Sequence, residues 1–546
     1  MNIDELTIYQ DEICRMLLKV QNFTLDIHMS IPIHLNQLLE FIISVLNRLL
    51  YIDKRTKNKS MMRNLLISFI ISFSCISMLS SQKLIDYELA ISVSELVIEV
   101  TLGQDVNNGV DAYRVSYTTT DLEGRIDTAS GLILIPINMT GPLPKAIYQH
   151  GTVGSRNDVP SQLAGGWQLA LALASYGYIT VAPDFQGLGL SRGIHPYVHA
   201  DSEALAAIDL LFALEAFMIE LDTEVTLNDQ LFITGYSQGG HAAMAAHRNI
   251  ERDYSDDFTV TASAPMSGPY SISNDMVQFT VGDQEYNFVG YLAWTALSYQ
   301  RAYKETFPSE LSDFFKEKYI PAIDSFAREE IDLGQLNEAL RILILEESDI
   351  VLPKLMIKDD VLDIIINRKE HPITDAFQDN DVDEWPAKAP IRMMYCGADE
   401  QVWFQNALTA EDNISSTGAE DVKAVLIDED GTHGSCVVPA SLAMIEFFNS
   451  FRDITSSVED LDKEDTGIYI FPNPTSDLLN ISFPIDFQWD MIQIYHADGK
   501  LNSEFRSKDF SGSHEISLDV TAIGSGLHHI HIISKNELYN KRIIIK

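Results

Sequence analysis

Positive charge is what this chain of 546 residues has least of: 38 Lys and Arg stand against 79 Asp and Glu, a formal charge of −41. Such a chain repels phosphate backbones and anionic lipid headgroups, which argues against nucleic acid and acidic membrane surfaces as main partners. Cysteine is scarce, at four residues, so a cysteine-rich secreted scaffold is excluded. Long apolar runs are scarcer still. The strongest, Leu65 to Leu79, has 15 residues and falls short of the roughly 20 that span a bilayer. Wholesale disorder is excluded by what is present: 46% hydrophobic and 9% aromatic residues can fill the cores of about two to four domains.

The apolar run follows Lys54, Arg55, Lys57, Lys59 and Arg63 and precedes Ser80 and Ser81. A basic flank, a short apolar stretch and small residues at a cleavage point make a secretory signal. Because Met61 and Met62 stand directly before Arg63, residues 61–82 are expected to be the signal peptide and 1–60 a non-native amino-terminal extension. A retained anchor is the competing reading. Lipidation at Cys75 fits poorly, with Phe73 and Ser74 before it. Past the signal only Cys396 and Cys436 remain, and in an oxidising compartment two cysteines pair more readily than they stay free.

From Ile85 to Pro136 the pattern is strand-like, with a hairpin (VDAYRVSYTTT, a turn at Leu122–Gly124, IDTASGLILIP). Strands and helices then alternate: a strand to Gln149, a helix over 162–176, a strand over 178–182, a helix over 203–219, and a strand over 230–234 leading into an Ala-rich helix. That alternation predicts an α/β fold, a mostly parallel sheet with helices on both faces. After a strand at 259–264 it stops. Residues 275–388 read as helices, including 287–303 and 309–330, inserted between two sheet strands as a cap or lid. It resumes with strands at 390–395 and 422–427 and helices at 404–410 and 439–451, giving one domain over 83–454.

Gly235-Tyr-Ser237-Gln-Gly239 matches the G-x-S-x-G nucleophile elbow, where a serine sits in a strained turn between strand and helix. The pentapeptide alone is common. Its context is not, since an apolar strand precedes it and a helix of small residues follows. A serine nucleophile needs a base, and the base needs an orienting carboxylate. The chain order Ser, acid, His, each after a strand, selects Asp399 and His433, with Asp428 and Asp430 as competing acids in the histidine's own loop. Gln238 should give one oxyanion N–H and Thr152 the other, with Gly151 as the alternative. His150 precedes the serine and is expected to shape that loop; His241 should pack against the sheet, and His195 and His199 should lie in loops.

YQHGT, VAPDFQGLG, GYSQGGHAA, YCGADEQV and GTHG, in this order, resemble the secretory lipase/esterase family of α/β hydrolases over residues 85–453. The resemblance implies an α/β-hydrolase fold that cleaves carboxylic esters through an acyl-enzyme, without a cofactor, with Ser237, Asp399 and His433 in the triad positions. It leaves the ester open, because relatives range from acylglycerol lipases to short-chain and feruloyl esterases. In the triad geometry the loops of Asp399 and His433 are neighbours, so a Cys396–Cys436 disulfide would tether acid to base. The run Asp379-Asn-Asp381-Val-Asp383-Glu384 begins like a calcium loop but lacks the sixth-position glycine and twelfth-position Glu, so it reads as a solvated acidic loop with no metal.

Residues 455–466 are polar and acidic, a linker by composition. Beyond them, over 467–546, short strands at regular spacing suggest a small β-sandwich. FPNPTSD, IQIYHADGK, Gly524-Ser-Gly526 and the basic end KRIIIK resemble the carboxyl-terminal sorting domain of type IX secretion cargo of Bacteroidetes. That implies a protein exported through the periplasm and then secreted or held at the cell surface, with the secretion machinery as a partner. His528, His529 and His531 suggest a metal only until strand alternation separates His528 from the other two; an ordinary edge strand is expected. Two other functions compete with an esterase acting on small-molecule or lipid esters: a serine peptidase of the same fold, and a binding protein that kept the hydrolase fold. The complete triad argues against the second.

Overall fold

The computed structural model describes residues 83–102, 106–221, 223–453, 468–471, 475–484, 487–496, 500–510, 515–535 and 537–545. The expected extension, signal peptide and linker, and the Asp498–Gly499 turn, lie outside the described residues. The chain divides into two compact units, 1–455 and 456–546.

The first unit is built on a sheet of nine strands: β1 (Leu84–Val93), β2 (Val110–Thr120), β3 (Ile126–Pro136), β4 (Gly141–Gln149), β5 (Ile179–Pro183), β6 (Val225–Tyr236), β7 (Val260–Met266), β8 (Ile391–Cys396) and β9 (Val422–Asp428). Their order is β1-β2-β3-β5-β4-β6-β7-β8-β9. The first three run antiparallel, with β2 and β3 in register from Val110↔Pro136 to Thr120↔Ile126, and β4 to β9 are parallel. Helices α1 (Glu95–Leu102), α2 (Gln168–Ser175), α3 (Ala200–Glu220) and α4 (Gln238–Asp253) follow in the first half of the unit.

Both sheet faces are covered, which explains why the strands read as continuous apolar runs rather than alternating ones. Ile133, Ile147, Val181 and Ile233 face α3 and α4 with Leu211 and Met244. Their chain neighbours Leu132, Ala146, Ala182 and Phe232 face the other way, toward Leu171 and Phe448. Burying each large side chain of this kind stabilises by roughly 1.5–3 kcal/mol.

Three stretches depart from the sequence reading. Residues 95–102, which fall within the stretch expected to be strand-like, form α1, because one helical face buries Ile98 completely while Val97 and Val100 stay exposed. The helix expected over 162–176 begins only at Gln168: Gly165 and Gly166 hold φ of 58° and 78°, a left-handed pair that no α-helix contains. The single helix expected over 309–330 is broken into short pieces, with Pro321 opening a new one at Ile320 and a bridge from Phe315 to Ile357 fixing the break.

Between β7 and β8 the chain is helical: α5 (Val289–Ala302), α6 (Ile320–Ala327), α7 (Leu333–Leu345), α8 (Asp359–Ile366) and α9 (Pro372–Asp379) surround a core of their own that includes Trp294, Phe314, Leu336 and Phe377. After β8 come α10 (Gln405–Ser416) and, after β9, α11 (His433–Asn449). Among the described residues no helix is long and apolar enough to cross a membrane.

The second unit holds β10 (Tyr469–Phe471), β11 (Leu478–Ser482), β12 (Met491–His496), β13 (Leu501–Arg506), β14 (Glu515–Asp519), β15 (Gly526–Ser534) and β16 (Glu537–Ile545). They form two antiparallel sheets, β10-β11-β14 and β13-β12-β15-β16. Ile481, Leu518, Ile494 and Ile532 are buried in one core drawn from both sheets. The strand carrying His528 is not an edge strand as expected: β15 is paired on both sides, by β12 and β16.

Candidate active site

Parallel strands put their carboxyl ends on one edge, and in open α/β sheets the chemistry gathers there, where the strand order reverses. Here the reversal falls at β4, with β5 on one side and β6 on the other. The loop after β4 carries His150, Gly151 and Thr152, and the turn after β6 carries Ser237. They touch: a Cβ placed on Gly151 would lie 3.7 Å from the Ser237 Cβ.

Ser237 has φ 61° and ψ −123°, caps α4 and donates its N–H to the Met266 carbonyl at 2.9 Å. A conformation so rarely populated costs about 1–3 kcal/mol and persists only where its surroundings enforce it. The glycines are part of that enforcement. A Cβ on Gly239 would stand 2.0 Å from the Gln149 carbonyl oxygen, so only glycine lets α4 pass this close to β4. Ser237 is 9% exposed.

His433 donates from Nδ1 to Asp399 Oδ2 at 2.7 Å, and Asp399 Oδ1 accepts the N–H groups of Gln401 and Val402. Both carboxylate oxygens are therefore satisfied, and with Nδ1 donating, Nε2 is the ring nitrogen available to act as a base. The competing acids Asp428 and Asp430 are exposed. Tyr236, the chain neighbour of Ser237, donates its hydroxyl to the His433 carbonyl at 2.6 Å and packs its ring 5.1 Å from the imidazole. His433 is not in a loop, as its sequence context suggested, but opens α11. Thr432 and Ser435 form the capping box, and Pro439, read as the start, lies inside the helix. A disulfide joins Cys396 at the end of β8 to Cys436 in the first turn of α11, with Cα atoms 6.0 Å apart.

Among the described residues the N–H groups of Gln238 and Thr152 have no acceptor, which leaves both donors for a ligand. Thr152 Oγ1 is hydrogen-bonded to the Tyr197 hydroxyl at 2.9 Å. His150 is wholly buried, bonded to the carbonyls of Gly151 and Asp184, and burial pushes its pKa down. Ser237 and Gln238 line a cleft enclosing about 730 Å³ of unfilled space, open mouth included. Ile272, Val281, Tyr291, Leu292 and Phe377 of the helical segment form much of the rest of its lining, and no charged side chain lines it.

Several neighbours of the site escaped the sequence reading. Glu400 Oε2 accepts the His433 N–H at 3.0 Å, and Tyr236 and Tyr197 hold the base and the Thr152 hydroxyl. The only signal for Tyr236 and Glu400 was adjacency to Ser237 and Asp399. His241 is bonded to Glu203 rather than simply packed, and His199 caps α3. The acidic run is solvated only at its ends, Asp379 and Glu384. Asp383 is 6% exposed, and Asp381 accepts from the N–H and hydroxyl of Ser273, with burial pushing its pKa up to about 7. No group of three His, Cys, Asp or Glu among the described residues could hold a metal.

Residues 469–546 match the family described as secretion system C-terminal sorting domain. No curated protein sequence is significantly similar to the chain. Among solved structures, a protein of Legionella pneumophila subsp. pneumophila provisionally described as a hydrolase superimposes with a TM-score of 0.61 at 25% identity, covering 68% of this chain and 98% of its own. The rice cell wall degrading esterase LipA from Xanthomonas oryzae gives a TM-score of 0.57 at 25% identity, over 68% of this chain and 96% of its own. Candida antarctica lipase A in its closed state shares the fold at 16% identity, with a TM-score of 0.51 over 69% and 84%. The α/β unit thus has the fold of esterase-type hydrolases, and the sorting tail indicates export to the cell surface or the medium.

Proposed function

We propose that the protein is a serine esterase that cleaves neutral carboxylic esters through an acyl-enzyme. The pairing of His433 with Asp399 at 2.7 Å, tied through the Tyr236 hydroxyl to the chain neighbour of a serine held in a strained turn, is the observation that carries this reading. Ser237 Oγ attacks the ester carbonyl while His433 Nε2 takes its proton; the imidazolium, stabilised by Asp399, returns that proton to the leaving alcohol. Water then repeats the sequence and releases the acid. The N–H groups of Gln238 and Thr152 donate to the developing oxyanion, where one such donor is worth roughly 2.7–4 kcal/mol.

The cleft beside Ser237 supports the choice of substrate. It is lined mostly by aliphatic and aromatic side chains and by none that is charged, which suits an apolar acyl group and gives no partner to the charged terminus of a peptide. A fluorophosphonate probe tests the reading: labelling is expected on the native chain and lost in Ser237→Ala. Absence of labelling that depends on Ser237 would overturn it. Next, p-nitrophenyl esters of rising chain length, set against peptide anilides, measure acyl preference, with ester turnover expected and anilide turnover not.

A further inference from the structure

Glu203 has no part in the proton transfers above, yet it is completely buried next to the first turn of α4. Its two oxygens serve two residues of that turn. Oε1 accepts from Gln238 Nε2 and Oε2 from His241 Nδ1, each at 2.7 Å. The second ring nitrogen of His241 faces the Asn380 carbonyl at 2.9 Å. Both nitrogens therefore meet acceptors, which holds the ring at its two ends.

Gln238 is held from a second side. Its Nε2 lies 2.6 Å from His195 Nε2, while His195 Nδ1 faces the Gln186 carbonyl at 2.8 Å. Nδ1 of that ring is the donor, so Nε2 accepts the second amide proton of Gln238. Burial pushes the His195 pKa down to about 3, which keeps the ring in this neutral form. The two protons of one side-chain amide are thus spoken for by a carboxylate and an imidazole, both buried. The carbonyl of His195 accepts in turn from Trp294 and Ser298 of α5, so the clamp also reaches the helical segment.

A glutamine at this place needs no side-chain function for its backbone N–H to bind an oxyanion. Burying a carboxylate costs several kcal/mol unless it is paired and hydrogen-bonded, so a network with this many partners calls for a reason. We propose that Glu203 is a positioning residue for the oxyanion hole: by gripping the Gln238 amide together with His195, it fixes the peptide plane whose N–H stabilises the transition state. This rests on Ser237 being the nucleophile. Displacing a preorganised donor by a fraction of an ångström lowers turnover without much changing how the ground-state ester binds.

Three variants in the full chain test it, read out with a p-nitrophenyl ester and by the rate of Ser237 phosphonylation. Glu203→Leu removes the grip, and Gln238→Met removes the gripped amide but keeps the backbone N–H. Each is expected to lower kcat and the phosphonylation rate by about tenfold to a hundredfold, with KM within about threefold and the acid limb of the pH profile, which reports His433, unmoved. Glu203→Gln keeps every hydrogen bond in the tautomer that carries the His241 proton on Nε2: the new amide oxygen accepts from Gln238, its NH2 donates to His241 Nδ1, and Nε2 donates to the Asn380 carbonyl. That variant is expected to stay within about threefold of the native kcat. The proposal is overturned if Gln238→Met, folded by circular dichroism, keeps native kcat, or if Glu203→Gln falls as far as Glu203→Leu. Loss of stability with turnover per folded molecule intact would also overturn it, as a merely structural role. Labelling of the native chain at Ser237, measured first, separates failure of this proposal from failure of the esterase reading.

Discussion

The α/β unit and the carboxyl-terminal unit are both sheets with apolar cores, but they differ in what else they bury. Among the described residues the tail buries only Thr475, His528 and Ser534 as polar groups, and Lys535 is its single non-glycine residue at positive φ. The α/β unit buries Asp184, Glu203, Asp399, His150, His195, His241 and His433, and it holds Ser237 and Phe185 at positive φ. Ionisable groups in a dry interior and backbone in sparsely allowed regions are costly, and each needs compensating partners. Their concentration in one unit marks where the chemistry is. The tail breaks few local rules, as suits a module that needs only to fold and be recognised.

The sharpest way to test that contrast is to place one methyl group in each unit. Gly239→Ala, with its Cβ 2.0 Å from a backbone oxygen, is expected to abolish ester turnover and cost about 3 kcal/mol or more in urea unfolding. Gly524→Ala in the tail meets nothing within 4 Å and should shift stability by less than about 0.5 kcal/mol. Next in size is the disulfide, which closes a 40-residue separation and ties the strand before Asp399 to the helix that begins with His433. The double change Cys396→Ala, Cys436→Ala should lower stability by about 2–4 kcal/mol and reduce kcat severalfold; unchanged unfolding and turnover would show that the tether has no role.

Asp381 gives a pH test. Burial lifts its pKa from 3.8 to about 7, so the folded state prefers the protonated acid. Its contribution is full below about pH 4, declines as the pH rises and is lost above about pH 7. Asp381→Asn should therefore melt with the native chain at pH 4 and gain roughly 2–4 kcal/mol at pH 8. An equal shift at both pH values would remove the ionisation from the account. The smallest effect on chemistry is expected from removing the tail: a chain ending at Asp453 should keep kcat within about twofold, because the proposed catalytic groups and their partners all lie in the α/β unit, yet it should no longer reach the cell surface or the medium. Loss of turnover with the tail would break the division of labour between the units.

Much of this architecture was legible in the residues. Strand–helix alternation, the strand period of the tail and the GYSQGG turn are local patterns, and a local pattern reflects the period of the element that carries it. Where the reading failed, tertiary context had overruled a local cue. Pro439 looks like a helix start until Thr432 and Ser435 cap α11 seven residues earlier. The acidic run looks solvated until Ser273 and Asn413 hydrogen-bond to it from other segments.

By itself the sequence determined the fold class, the chain order of the candidate serine, acid and histidine, and the address carried by the tail. Only the tertiary structure decided that His433 pairs with Asp399 rather than with its exposed neighbours Asp428 and Asp430, and that Glu203, 34 positions before the serine, grips the residue after it. The reason is physical: parallel strands bring the ends of segments far apart in the chain to one edge of the sheet, and no local pattern encodes which of them will meet there.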